Sequence, residues 1–260
     1  MIYVHEIFPS FEGEGPDAGI PTVFVRMQGC QVHCKWCDTP QAMPLQGGLH
    51  FADEFEFAGA IDRVLADNPG IKRISFTGGD PVRYLRDIAK VVVMFKTVKS
   101  NLEFHLEHPG FDTVDDFTHR YVTGSLFEFD SICFDYKTLS SGVNYVDTPN
   151  VSLRKVLHFV REPNSPRNVT IKAVIGSVED IHDFRSMLGM AFIDEYSKEP
   201  YDCVMKLPTI LLSPMWDEKQ QKFVMLDVIQ ENLCTCSRFG VLSAFDVRLN
   251  VQNHKLLGFA

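Results

Sequence analysis

Thr22-Val23-Phe24-Val25-Arg26-Met27 followed by Gln28-Gly29-Cys30-Gln31-Val32-His33-Cys34-Lys35-Trp36-Cys37-Asp38-Thr39 sets an apolar run directly before three cysteines spaced C-x3-C-x2-C. The β-branched and aromatic residues from 22 to 27 read as a buried strand. The cysteines then fall on one short loop at the end of that strand. Thiolates so close together hold a soft metal centre. A structural zinc site wants four ligands, often from two C-x2-C knuckles. Here Cys34-x2-Cys37 is one knuckle, and Cys234-Thr235-Cys236 is too tight to be a second. Seven cysteines in 260 residues are too sparse, and odd in number, for a disulfide framework. A cubane iron–sulfur cluster is usually held by four cysteines, so three on one loop leave one iron open to a ligand that is not protein.

Working outward from this loop, strand and helix alternate. Phe57, Ile61, Val64 and Leu65 share a helical face, and Asp67-Asn68-Pro69-Gly70 stops that helix. Arg73 to Thr77 is a predicted strand ending in Gly78-Gly79-Asp80-Pro81. Leu85, Ile88, Val92 and Phe95 mark the next amphipathic helix. Further strands are predicted from Leu102 to Leu106, Ser131 to Tyr136, Val169 to Ile175, Val204 to Leu207 and Phe245 to Val251. Helices are predicted from Glu179 to Leu188 and from Phe223 to Leu233. The stretches Phe111 to Phe129 and Ala191 to Asp202 read as inserted loops. Alternation of this kind implies a mainly parallel sheet. The cysteines, the Gly-Gly-Asp-Pro turn, Glu107 and Lys137 all follow strand ends, the face on which (β/α) barrels build their sites. The expected fold is α/β, an incomplete, modified (β/α) barrel of about six mainly parallel strands, formed by one domain over residues 1–260.

Composition narrows the partners. The net charge of -9 and the pI of about 5.4 argue against a general nucleic-acid binder, which needs a basic surface, and leave a small molecule as the ligand. No apolar run is long enough to span a membrane, and Met1-Ile2-Tyr3-Val4-His5-Glu6 lacks the features of a signal peptide. Free cysteines fit a reducing, cytoplasmic setting.

The three-cysteine spacing resembles that of the radical S-adenosylmethionine (SAM) enzymes. The resemblance sharpens along the whole chain. Glu6-Ile7-Phe8-Pro9-Ser10-Phe11-Glu12-Gly13-Glu14-Gly15 is similar to the opening of the 7-carboxy-7-deazaguanine synthases. So are Phe24-Val25-Arg26, Trp36-Cys37-Asp38-Thr39, Thr77-Gly78-Gly79-Asp80-Pro81, Asp135-Tyr136-Lys137-Thr138-Leu139-Ser140-Ser141-Gly142, Leu212-Ser213-Pro214 and Val251-Gln252-Asn253-His254-Lys255. That family has a modified, incomplete barrel, is usually homodimeric, and converts 6-carboxy-5,6,7,8-tetrahydropterin to 7-carboxy-7-deazaguanine with loss of ammonia. It uses a [4Fe-4S] cluster, SAM and Mg2+, with a one-electron reductant such as flavodoxin or ferredoxin, in queuosine and 7-deazapurine synthesis.

Carried over by matching positions, the resemblance assigns Cys30, Cys34 and Cys37 to three irons, with SAM on the fourth, and Thr39 to Mg2+. It assigns Trp36, Gly78, Gly79, Asp80, Ser140 and Ser141 to SAM. The pterin falls to Glu12, Gly13, Glu14, Arg26, Thr77, Lys137 and His254, with the C-terminal carboxylate of Ala260 folding into the site. Two positions depart from the family pattern. Asp80 replaces the usual glutamate and is one methylene shorter. Glu12 replaces glutamine, which offers a donor and an acceptor where an ionised glutamate only accepts. Glu107-His108-Pro109-Gly110 stands where Glu-Thr-Asn-Gly is common. A radical SAM activase acting on a protein partner would share the cysteines but not the two terminal motifs. A non-catalytic iron–sulfur sensor would leave the Gly-Gly-Asp-Pro turn idle.

Overall fold

The computed structural model describes residues 1–110, 124–143, 153–197, 206–235 and 240–258. The strand before the cysteine loop, β2 (Pro21–Met27), lies inside a nine-stranded sheet. The others are β1 (Ile2–Phe11), β3 (Leu49–Phe51), β4 (Arg73–Gly78), β5 (Glu103–His108), β6 (Ser131–Tyr136), β7 (Asn168–Ile175), β8 (Thr209–Pro214) and β11 (Val247–Leu249). The order is β11-β8-β7-β6-β5-β4-β2-β1-β3. From β2 to β11 every pairing is parallel, whereas β1 runs antiparallel to β2 and to β3. The sheet does not close on itself, so the architecture is the expected incomplete barrel. Its parallel part has seven strands, counting the short β11. A two-stranded ribbon, β9 (Trp216–Asp217) with β10 (Lys222–Phe223), follows β8.

Helices cover the sheet: α1 (Glu54–Asp67), α2 (Leu85–Val98), α3 (Leu153–Arg161), α4 (Val178–Tyr196), α5 (Leu226–Thr235) and α6 (Asn253–Leu257). Their starts have local causes. The Asp53 carboxylate accepts from the N–H groups of Phe55 and Glu56 at 3.0 Å each. Ser177 and Asp180 form a reciprocal capping box, satisfying donors that a helix start leaves unpaired. Phe57, Ile61, Phe76, Phe104, Phe134 and Phe184, all fully buried, join helices to sheet in one continuous core.

Four sequence expectations shift. The strand expected at 204–207 is displaced to Thr209–Pro214, with residues 204 and 205 outside the described part. The closing strand contracts to Val247–Leu249. Ala191 to Tyr196 is the end of α4 rather than loop, and its inward residues Ala191 and Tyr196 are buried. Beyond it, 198–202 lie outside the described residues, as do 111–123 of the other expected insertion. β1 was not expected as a strand: only Ile2 and Val4 on it are fully buried, so its hydrophobic alternation is weak.

Candidate active site

At the C-terminal ends of the parallel strands lies a cavity of about 1190 Å³. Its wall carries Cys30, Cys34, Trp36, Cys37 and Thr39 from the loop after β2, and Thr77, Gly78 and Gly79 from the end of β4. Glu107, Lys137, Ser140 and Lys172 add the ends of β5, β6 and β7. Glu12, Gly13 and Glu14 from the opening and Gln252, His254 and Lys255 from the close complete it. Residues more than 230 positions apart thus meet around one space.

The meeting is specific. Gln252 Nε2 donates to Glu14 Oε1 at 2.8 Å. Asn250 Nδ2 donates to Glu14 Oε2 at 3.2 Å and to Ser213 Oγ at 2.8 Å, while Asn250 Oδ1 accepts from Gly15 N–H at 2.7 Å. The N–H of Asn253 donates to the Gly13 carbonyl at 2.9 Å. A side chain at Gly13 would be crowded: a Cβ at this position would stand 2.5 Å from His254 Nδ1.

Lys172 on β7 holds the other side of Glu14. Its ammonium is 3.1 Å from Glu14 Oε2 and 3.5 Å from Asp135 Oδ2, and Lys137 is 2.9 Å from the same Asp135 oxygen. Burial opposes the charge on both lysines, yet the surrounding carboxylates raise their pKa values, Lys172 well above the ordinary one. Glu107 is the counterpart. Burial works against its charge, but Lys172 and the hydrogen bond from His105 at 2.8 Å bring its carboxyl down to about 2. His108 is buried beside it, and burial followed by the Lys137 charge lowers its pKa to about 3. Its Nδ1 accepts from Gly110 N–H at 3.2 Å, so the neutral ring carries its proton on Nε2.

On the cysteine loop, Cys30, Cys34 and Cys37 are free thiols. Burial pushes Cys30 up to about 11 and also raises Cys34, so the protein surroundings alone favour the neutral thiols and a bound metal would draw off their protons. Three soft donors on one cavity wall suit an iron–sulfur cluster. The loop is anchored from outside by bonds from Cys30 N–H to the Met43 carbonyl at 3.0 Å and from Lys35 N–H to the Ser141 carbonyl at 2.9 Å.

Thr39 Oγ1 accepts from Arg26 Nη1 and donates to Asp38 Oδ1, both at 2.9 Å. Partial removal from water opposes the Asp38 charge, but His254, Lys255 and Thr39 hold its carboxyl well below the usual range. A hydroxyl and an ionised carboxylate are hard oxygen donors of the kind Mg2+ takes in small number; an ion there would displace the Arg26 head from Thr39.

Two of the sequence candidates sit behind the wall. Asp80 is fully buried, and its Oδ1 caps the turn Pro81–Tyr84 by accepting from Val82 N–H at 3.0 Å. Ser141 is fully buried and its Oγ accepts from Val143 N–H. The close approach that Gly78 permits is to protein: at φ +104 its missing Cβ would stand 2.4 Å from Arg26 Cγ. Ala260 lies outside the described residues. Lys172 and Asn250 were not anticipated. The one signal for Lys172 is a lone charge inside the apolar strand Val169 to Ile175. The ribbon residues Trp216 to Lys219 also line the cavity and carried no motif.

Residues 11–122 match the family described as a 4Fe-4S single cluster domain. The 7-carboxy-7-deazaguanine synthase of Methanospirillum hungatei JF-1 is 26% identical over 98% of this chain and 85% of its own length. That of Clostridium acetobutylicum is 25% identical over 98% and 95%. The crystal structure of QueE from Escherichia coli superposes with a TM-score of 0.59, at 20% identity, over 97% of this chain and 94% of that one, which shows a common fold. The chain is thus similar end to end to proteins named 7-carboxy-7-deazaguanine synthase, and its cysteine loop lies within the matched 4Fe-4S cluster domain.

Proposed function

We propose that this chain is a radical SAM 7-carboxy-7-deazaguanine synthase, converting 6-carboxy-5,6,7,8-tetrahydropterin to 7-carboxy-7-deazaguanine with release of ammonia in 7-deazapurine synthesis. The observation that carries the reading is the convergence of the three-cysteine loop with both ends of the chain on one cavity. Cys30, Cys34 and Cys37 hold a [4Fe-4S] cluster, and with SAM it supplies one-electron chemistry to the cavity when bound. Trp36, Gly78, Gly79 and Ser140 line the SAM side, while Asp80 and Ser141 support that side from behind. Arg26 offers a planar guanidinium for a substrate carboxylate, and Thr39 with Asp38 offers oxygens for Mg2+. Glu14, held by Lys172, Asn250 and Gln252, presents fixed acceptors to the amino and ring N–H groups of a pterin. Lys137 and Lys172 offset the carboxylates of Glu14, Asp135 and Glu107 on the floor, and His254 packed on Gly13 excludes water from that edge. The electron comes from a reductant such as flavodoxin or ferredoxin, and the resemblance extends to a homodimer.

The test is anaerobic turnover of untagged, cluster-reconstituted protein with the pterin, SAM, Mg2+ and a one-electron reductant. The expected outcome is many 7-carboxy-7-deazaguanine molecules per 5′-deoxyadenosine by mass spectrometry. The cluster's visible absorbance is lost in Cys30→Ala, Cys34→Ala or Cys37→Ala and kept in Cys133→Ala. SAM cleavage without this product would move the substrate elsewhere.

A further inference from the structure

Below the large cavity, inside the open barrel, lies a second space of about 20 Å³, room for a single water. Glu12 lines both spaces. It is 7% exposed. Its Oε1 accepts from the N–H of Gly13 at 3.1 Å, but its Oε2 is buried with no hydrogen-bond partner among the described residues. An ionised carboxylate so placed would leave one charged oxygen with no protein donor, a costly arrangement for a buried charge.

The charges around it do not repair this. β5 presents His105 and Glu107, but His105 is already committed, at 2.8 Å to Glu107 and 2.7 Å to Ser131 Oγ. β4 presents Arg73, which is paired with Asp17 at 2.9 Å. Lys172 of β7 is engaged by Glu14 and Asp135. The opening loop adds the Glu14 carboxylate, and α6 adds His254 over Gly13. Desolvation raises the Glu12 pKa, with His105 and Arg73 opposing and Glu107 and Glu14 reinforcing the rise.

We propose that Glu12 stands in the folded protein as a neutral carboxylic acid and gives its O–H to an acceptor on the ligand of the large cavity. A neutral carboxyl presents a donor and an acceptor side by side. Its Oε1 keeps a second lone pair beyond the Gly13 bond. That edge complements a lactam-like edge of a heterocycle, with N–H and C=O or ring nitrogen adjacent. A pterin carries such an edge, so the ligand part of this inference rests on the function proposed above; the protonation state does not. Glu12 is then a specificity-determining contact that loses its donor at high pH.

The experiment has two readouts on the cluster-reconstituted full chain. Infrared difference spectra of wild type minus Glu12→Gln at pH 7 should contain the carbonyl stretch of one neutral carboxylic acid. Equilibrium dialysis of 6-carboxytetrahydropterin against pH should give a wild-type Kd that weakens by up to about tenfold per unit once Glu12 ionises. Glu12→Gln should flatten that dependence. Glu12→Ala should bind about tenfold more weakly throughout, the loss expected for a buried hydrogen bond. Its fold is checked by circular dichroism, and Glu12→Gln carries the test if it unfolds. Only carboxylate bands at pH 7, or the same pH profile in wild type and Glu12→Gln, would overturn the proposal. An acid band with a pH-independent Kd would overturn the donor role. Failure of the wild type to make 7-carboxy-7-deazaguanine overturns the functional reading and leaves the infrared result standing.

Discussion

His108 shows how a single buried group makes the site sensitive to acid. The folded protein holds it neutral down to about 3, against an ordinary value of 6.5. The unfolded chain takes up a proton in that window and the folded chain does not, so stability falls as pH drops from 6.5 towards 3. By pH 5 the loss is roughly 2 kcal/mol. Glu107, lowered to about 2, adds a loss that begins only below its ordinary 4.5, so the two are separable. Urea unfolding at pH 7 and pH 5 should show His108→Asn losing less stability between those values than wild type. Gly13 is the other residue on which geometry decides. Gly13→Ala puts a Cβ 2.5 Å from His254 Nδ1, so either the ring or the opening loop must move. Overpacking of this kind costs about 1–3 kcal/mol. The expected result is a lower melting temperature and weakened pterin binding, with cluster absorbance unchanged because the cysteine loop lies on another segment.

Among the elements, β7 has the most exacting position. Its Lys172 faces Glu14 from the opening and Asp135 from β6, and its charge also holds Glu107 of β5 ionised. Lys172→Met therefore leaves three carboxylates without their common cation. Removing one partner of a buried charge cluster costs about 3–5 kcal/mol, and chemical denaturation should show a loss of that size. The same strand marks the limit of what the sequence discloses. Its apolar run was legible as a strand, as were β2, β4, β5 and β6, because buried parallel strands read as continuous hydrophobic stretches. The cysteine loop was legible because metal ligation fixes residue type and spacing at once. β1 was not, since only Ile2 and Val4 on it are fully buried. β8 was misplaced because its neighbours near residue 205 are also apolar. Within the site, Glu14, Arg26, Thr39 and His254 were singled out by motif and line the cavity. The bonds from Lys172 and Asn250 to Glu14, across 158 and 236 positions, depend on tertiary approach. Spacing along a chain carries no record of that approach.

At the scale of the whole molecule, an open sheet leaves its ends to be joined by something other than strand pairing. β3 lies at one edge and β11 at the other. The opening loop after β1 and the segment after β11 join across this gap. Asn250 is the hub. Its side chain takes the Gly15 N–H and donates to Glu14 and Ser213, and its own N–H reaches the Leu212 carbonyl at 2.9 Å. It is 4% exposed, so each of those bonds is made out of reach of water. Gln252, Asn253 and His254 extend the seam along Glu14 and Gly13. The seam forms one wall of the cavity, while the cysteine loop hangs from β2 on the other side. Ending the chain after Leu249 should therefore uncouple the two walls. Hydrogen exchange should accelerate over residues 12–20, where Gly15 N–H loses its acceptor. Pterin binding should be lost, while reconstituted cluster absorbance survives. Asn250→Ala should give the same pattern in milder form, at a stability cost of about 1–3 kcal/mol for the bonds left unmade. Unchanged exchange over 12–20 in both variants would mean that the opening loop is held by Lys172 and the sheet alone, and that the tail is not needed to close the barrel.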